Sequence, residues 1–278
     1  MVKFSVCSWI FGNQLIEDTI NYVAEVGYDQ IELDAATAIR ETVKVKKLIN
    51  EVDISIGGIT GDAAWPNLSK DLANPDVSNR KKAIQYFKEQ LKVAGELRAK
   101  YLVVCPSAVG KTTLYGENSE DWKWAIDSVQ QLCNTATIEE TDLIIEPVNR
   151  YESSIVNSAN DAYQFVNEIK HSKVKMLVDT YHMNIEETNS VDAIKEVADK
   201  LAVFHVADNN RKGLGMGQIN FNTIFTALTE IQYKGPVVLE CMASGANPFS
   251  ANKKEMHDLN DYVEQSLICM KKLYSKNI

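Results

Sequence analysis

Eight short β-rich runs recur along the chain, and their spacing limits what it can fold into more than any other feature. They cover 3–9, 30–34, 53–60, 101–106, 142–148, 174–180, 202–208 and 236–241. Several, such as YLVVC, LII and VVL, are nearly continuous in apolar residues. That is what a parallel strand covered by helices requires, since neither of its faces meets water. Between the runs the apolar residues move to helical spacing. Ile16, Ile20 and Val23 step by four and three before Gly27. Ile84, Phe87, Leu91, Ala94 and Leu97 form a longer stripe, entered through Asn74-Pro75 with a proline near the first helical turn. Ile224, Leu228 and Ile231 form another, stopped by Gly235-Pro236. The pattern predicts eight strands alternating with eight helices, in units of roughly 30–40 residues. Such a series in one domain points to a closed (β/α)8 barrel, the TIM-barrel architecture of the α/β class, over an open doubly wound sheet.

At 278 residues, with no Ser/Pro/Gly-rich stretch or long charge run to serve as a linker, the chain reads as a single domain over 1–278. No apolar segment approaches the ~20 residues of a membrane span. The opening MVKFSVCSWIFGN lacks the basic start, apolar run and cleavage site of a signal peptide, and reads as a strand. The five cysteines are an odd number, without a CxxC pair. Cys7, Cys105 and Cys241 sit in apolar runs, so they read as small buried hydrophobes of a reducing cytoplasm. A net charge of −9 repels phosphate backbones and argues against nucleic acid as a partner.

Four residues able to ligate a metal fall near the C-terminal ends of the last four runs. They are Glu146 in LIIEPVNRYE, Asp179 in MLVDTYHMNIEE, His205 in VFHVADNNR and Glu240 in PVVLECM, separated by 33, 26 and 35 residues. One such residue per β/α unit gathers all four at one mouth of a barrel, the end where barrel enzymes carry their sites. Three carboxylates beside apolar runs are costly to bury unless a cation compensates them. Three carboxylates and an imidazole suit one divalent ion, with Mn²⁺ first and Mg²⁺ or Co²⁺ behind it, better than a structural zinc. For any one of these residues an ordinary polar strand end is the simpler reading; four in register argue for the site.

The stretches EPVNRYES, VDTYHMNIEE, FHVADNNRKGLGMGQINF and VVLE resemble the motifs of ketose 3-epimerases of the D-tagatose and D-psicose type. These enzymes belong to the sugar-phosphate isomerase/epimerase, or xylose-isomerase-like, barrel group. The resemblance is strongest over 142–241, and DTYHMNIEE is its most specific element. It implies a metal held by Glu146, Asp179, His205 and Glu240. It also implies catalysis by Glu146 and Glu240, and contacts to the sugar near O1 to O3 from Glu152, His182 and Arg211. Elementary chemistry agrees with that division. The proton beside a ketose carbonyl is weakly acidic, a metal stabilises the enediolate left when it departs, and a carboxylate on each face can remove and return it with inversion at C3. On the residues alone, Glu152 also reads as a helix-start carboxylate, His182 as a core histidine and Arg211 as a solvated loop residue.

The resemblance further implies a small-molecule sugar as partner and a homodimer or homotetramer, to which the apolar-rich segment 262–273 could contribute. The loop SWIFGN after the first run is short for the family, and MASGANPFSAN departs from its pattern. Trp9, Phe11, Trp65 and the Lys111 loop are candidates for the distal end of the pocket. AVGKTT lacks the first glycine of a phosphate-binding loop, Cys105 standing in its place, and is set aside. His171 and His257 fall in charged helical stretches and read as surface residues. Competing activities are an aldose–ketose or inosose-type isomerase and a lyase or dehydratase using the same proton abstraction. A multi-metal nuclease would need more histidines than the four present, and the Glu146/Glu240 pair argues against an idle sugar-binding barrel.

Overall fold

Each apolar run pairs with the next in chain order. The computed structural model describes residues 2–64, 66–116, 120–245 and 253–276. Its strands are β1 (Phe4–Cys7), β2 (Gln30–Asp34), β3 (Ser55–Thr60), β4 (Tyr101–Val104), β5 (Asp142–Ile145), β6 (Val174–Asp179), β7 (Leu201–Val206) and β8 (Val237–Leu239). All pairings are parallel, and β1 closes on β8 through Phe4 opposite Val237. The protein is thus a single-domain (β/α)8 barrel. The register shifts at Ile31/Glu32 between β2 and β3, and at Met176/Leu177 between β6 and β7. Both irregularities lie just before strand ends that carry site residues, where a bulge re-aims side chains.

Ten α-helices surround the barrel among the described residues, against the eight expected. They are α1 (Ile16–Val26), α2 (Ala35–Leu48), α3 (Val77–Glu96), α4 (Glu120–Gln130), α5 (Cys133–Ile138), α6 (Ala159–Ile169), α7 (Thr180–Glu186), α8 (Ser190–Glu196), α9 (Phe221–Glu230) and α10 (Lys253–Lys276). The surplus arises because two helices fill each of the connections after β4 and after β6. Their inner faces meet the strands in one continuous core, with Phe87, Phe165, Phe204 and Phe225 fully buried. Three boundaries differ from the sequence reading. The segment Ser8–Phe11 is a 3₁₀ turn rather than strand. Pro75 lies outside α3, whose N-cap is Asp76, its carboxylate accepting from the Ser78 and Asn79 amides. And α9 stops at Glu230, well before Gly235.

The last helix packs on the outside of the barrel, against α9 and β1. Leu259, Val263, Leu267, Met270 and Leu273 of α10 are buried in the core, and Tyr28 Oη donates to the Val263 carbonyl at 2.8 Å. The apolar face expected to aid association is therefore spent on the chain's own barrel, leaving Ile268 as an exposed large apolar residue of that helix. No described helix is long and apolar enough to cross a membrane.

Candidate metal centre

The alternation of the strand ends brings four ligand-type side chains together. Glu146 and Glu240 are the first residues past β5 and β8, while Asp179 ends β6 and His205 lies within β7. One donor atom from each of the four lies within 4.8 Å of all the others, and all four residues are buried. His205 Nδ1 lies 3.0 Å from Glu240 Oε2 and 3.9 Å from Glu146 Oε1. Arg211 reaches across the same cluster. Its Nη2 donates to Glu240 Oε2 at 2.8 Å and its Nη1 to Asp179 Oδ2, with the guanidinium over the Tyr181 ring at 4.6 Å.

The charges show what this cluster needs. Burial, with the Glu240 charge behind it, pushes the Glu146 carboxyl up to about 8. Burial acts on Asp179 the same way, but Arg211, then His182 and His205, outweigh it and hold that carboxyl below the usual range. Burial would discharge His205 too, yet Glu32 and Glu240 raise it well above an ordinary imidazole. Three buried carboxylates crowd around one guanidinium and one imidazole, and the repulsion among the acids falls on Glu146. The donor set of carboxylate oxygens and one imidazole nitrogen fits a single hard-to-borderline divalent cation.

A fifth acid, which the sequence reading missed, sits behind the histidine. Glu32, fully buried on β2, places Oε2 3.2 Å from His205 Nε2. Tyr101 Oη and Thr60 Oγ1 each donate to Glu32 at 2.6 Å, and Cys7 Sγ donates at 3.3 Å. A histidine that gives its Nε2–H to such a carboxylate keeps the Nδ1 lone pair for the cluster. The signal available in the sequence was a lone acid inside the run QIEL.

The residues expected to hold a sugar are close by. His182, on α7, has Nε2 3.9 Å from Asp179 Oδ2, and burial lowers its basicity. Asn149 joins it to Glu152: the Asn149 amide nitrogen lies 2.8 Å from both His182 Nδ1 and Glu152 Oε1. The remaining acids of the NIEE stretch are structural. Glu186 takes both the backbone amide and the guanidinium of Arg150, and Glu187 accepts from the Ala159 amide at the start of α6. Arg211 is delivered by a loop wound around Asp208, whose buried carboxylate accepts from the amides of Asn209, Gly215, Gly217 and Ile219. A Cβ on Gly217 would stand 2.4 Å from Asp208 Oδ1, so glycine is required for that close approach.

A cavity of about 720 Å³ opens above the cluster, with Glu146, Glu152, His182, Arg211 and Glu240 at one end. The distal residues proposed from sequence fare differently. Trp9 lines the cavity but at the cluster end, its Nε1 donating to Glu240 Oε1 at 3.0 Å. Phe11 is buried against Tyr22 and does not line it, because the 3₁₀ turn folds it into the core. Lys111 is buried in an ion pair with Asp121 at 2.9 Å, its ammonium satisfied there and by Ser154. Trp65 and most of the MASGANPFSAN loop lie outside the described residues.

Residues 20–273 match the model of the xylose isomerase-like TIM barrel family. The chain belongs to that family. Among xylose isomerase-like relatives, the D-psicose 3-epimerase of Enterocloster bolteae is 30% identical over 260 residues, 88% of this chain and 83% of that protein. The 3-dehydro-D-guloside 4-epimerase of Escherichia coli is 29% identical over 264 residues, 92% of this chain and 98% of that protein. The crystal structure of D-psicose 3-epimerase with D-tagatose from Clostridium cellulolyticum H10 superposes with a TM-score of 0.87 at 24% identity, covering 98% of this chain and 99% of that one.

Proposed function

We propose that the protein is a divalent-metal-dependent epimerase that inverts C3 of a ketose. The observation that carries this reading is the meeting of Glu146 and Glu240, from strands three positions apart in the barrel, at one end of the cavity beside Asp179 and His205. Those four residues would hold the ion, with Mn²⁺ the first choice and Mg²⁺ or Co²⁺ alternatives. When bound, the ion would polarise the ketose carbonyl and stabilise charge on its oxygen. Arg211, His182 and Glu152 hold the sugar's hydroxyls near the carbonyl, and Arg211 does so without losing its charge. One glutamate, ionised, takes the proton from C3 and leaves the enediolate; the other, protonated, gives its proton to C3 from the opposite face. The two carboxyls exchange roles when the reaction runs backward. The five free cysteines are in keeping with a reducing cytoplasm as its setting.

The test is solvent deuterium exchange with Mn²⁺ over a panel of ketoses, reading which carbon acquires label. C3 labelling is expected, and Glu146→Gln or Glu240→Gln should slow it by at least ~10²-fold, the lower end for loss of an acid/base group. If Glu146→Gln binds Mn²⁺ well and still exchanges at the parent rate, the two-carboxylate mechanism is wrong. A second reading has one observation in its favour, the match to 98% of the E. coli 4-epimerase. It predicts label at C4 of a 3-keto sugar instead. An aldose–ketose isomerase would label C1.

A further inference from the structure

The cavity is far larger than the reaction proposed above requires. A free hexulose fills roughly 200 Å³ at the packing density of protein interiors, against about 720 Å³ here. The excess volume forms an arm. From the cluster over β5 to β8 it runs across the mouth to the loop after β1, the first turns of α2 and the loop after β3, where Asn13, Gln14, Ala36, Thr37, Arg40 and Asp62 line it. The arm mixes apolar surface, from Leu15, Ile16, Ala35 and Ala64, with polar groups, and two of its charged side chains already have partners. Arg40 bonds to Glu41 and Thr37, and Asp62 is paired with Lys70 and accepts from Tyr86 Oη. Asp34 adds a further carboxylate, so acids outnumber bases along this stretch. A phosphate would meet repulsion here. A neutral ring bearing hydroxyls would find amide, hydroxyl, guanidinium and carboxylate partners, with Arg40 Nη1 outside the bonds just named.

We propose that the substrate is a glycosylated ketose, its keto sugar at the metal cluster and its second, uncharged sugar ring in the arm between the β1 loop and α2. This rests on the ketose epimerase reading for the cluster end and assigns what the far end is for. The ring contributes binding that a free ketose cannot make, and such remote contacts raise kcat/KM by positioning the reacting carbon.

The experiment compares D-fructose and D-tagatose with lactulose and isomaltulose, which carry a hexose on fructose O4 and O6, using the Mn²⁺-loaded protein. C3 deuterium wash-in gives kcat/KM, and calorimetry gives Kd. At least one disaccharide should exceed both free ketoses at least tenfold in kcat/KM and in affinity. Ala36→Phe, which plugs the arm from an exposed position, should lower that preference at least tenfold; Arg40→Ala should lower it as well, by less. Free ketoses that bind and react as well as both disaccharides, in parent and Ala36→Phe alike, would overturn the proposal and leave the epimerase reading standing. Absence of C3 label in every sugar would sink the epimerase reading. The Kd ratio and its response to Ala36→Phe would then still decide the arm: a tenfold preference abolished by the plug supports it, and equal affinities end it.

Discussion

His205 is a useful residue from which to judge how the site is held. Its Nδ1 faces the cluster only while Nε2 is committed to Glu32, and Glu32 is itself fixed by Tyr101, Thr60 and Cys7. Glu32→Gln keeps the size of the side chain but can present an amide N–H to the ring instead of an acceptor. Mn²⁺ affinity, measured by calorimetry, should fall about 10- to 100-fold, the range for losing such a supporting partner. An unchanged affinity would show that the tautomer is set elsewhere. Glu146, Asp179, His205 and Glu240 were legible in the sequence because each interrupts an apolar run at a unit's end. Glu32 was not, because its meaning comes from a strand 173 positions away. Asn149 was hidden for a similar reason, since it acts by joining His182 to Glu152.

At the level of elements, the strands were the readable part, because burial on both faces leaves an apolar signature that needs no partner to interpret. Helices α5, α7 and α8, of six or seven residues each, are too short to display a period, which is why two connections hide an extra helix. In α2 the helix is interrupted at Glu41, where φ is −122°. The wall at β3 also has a constraint that no pattern reveals. A Cβ on Gly58 would lie 2.1 Å from a ring carbon of Tyr101, the residue that supports Glu32. Gly58→Ala should therefore displace Tyr101 and cost about 1–3 kcal/mol in urea unfolding, as overpacking does. Stability equal to the parent's would mean that the ring moves freely. Between β5 and β6, Ser158 and Asp161 form a reciprocal cap on α6, and Ser158→Ala should cost about 1 kcal/mol.

Across the whole molecule, the mouth divides by half-barrel: the ends of β5 to β8 carry the cluster, and the ends of β1 to β3 carry the arm. The four donors meet only in the folded barrel, so an ion held there is coupled to folding. Chelation should lower the melting temperature, and Mn²⁺ at 100 times its Kd should restore about 2.7 kcal/mol; a melting curve indifferent to both would remove the ion from the cluster. We also propose a homodimer or homotetramer. Light scattering at micromolar concentration should then give two or four times the 31.1 kDa of one chain, and the monomer mass would rule association out. Because α10 turns its apolar face inward, the contact has to be made by other surfaces than that stripe.

The winding of residues 208–219 around the Asp208 carboxylate has a consequence for the lifetime of the protein. Arg211 and Lys212 are adjacent trypsin sites, and a protease needs the chain around its site free to adopt an extended form. Four amides tied to one buried carboxylate deny it that freedom. Asp208→Ala releases all four at once, so trypsin should nick that variant within this loop under conditions where the parent chain stays whole.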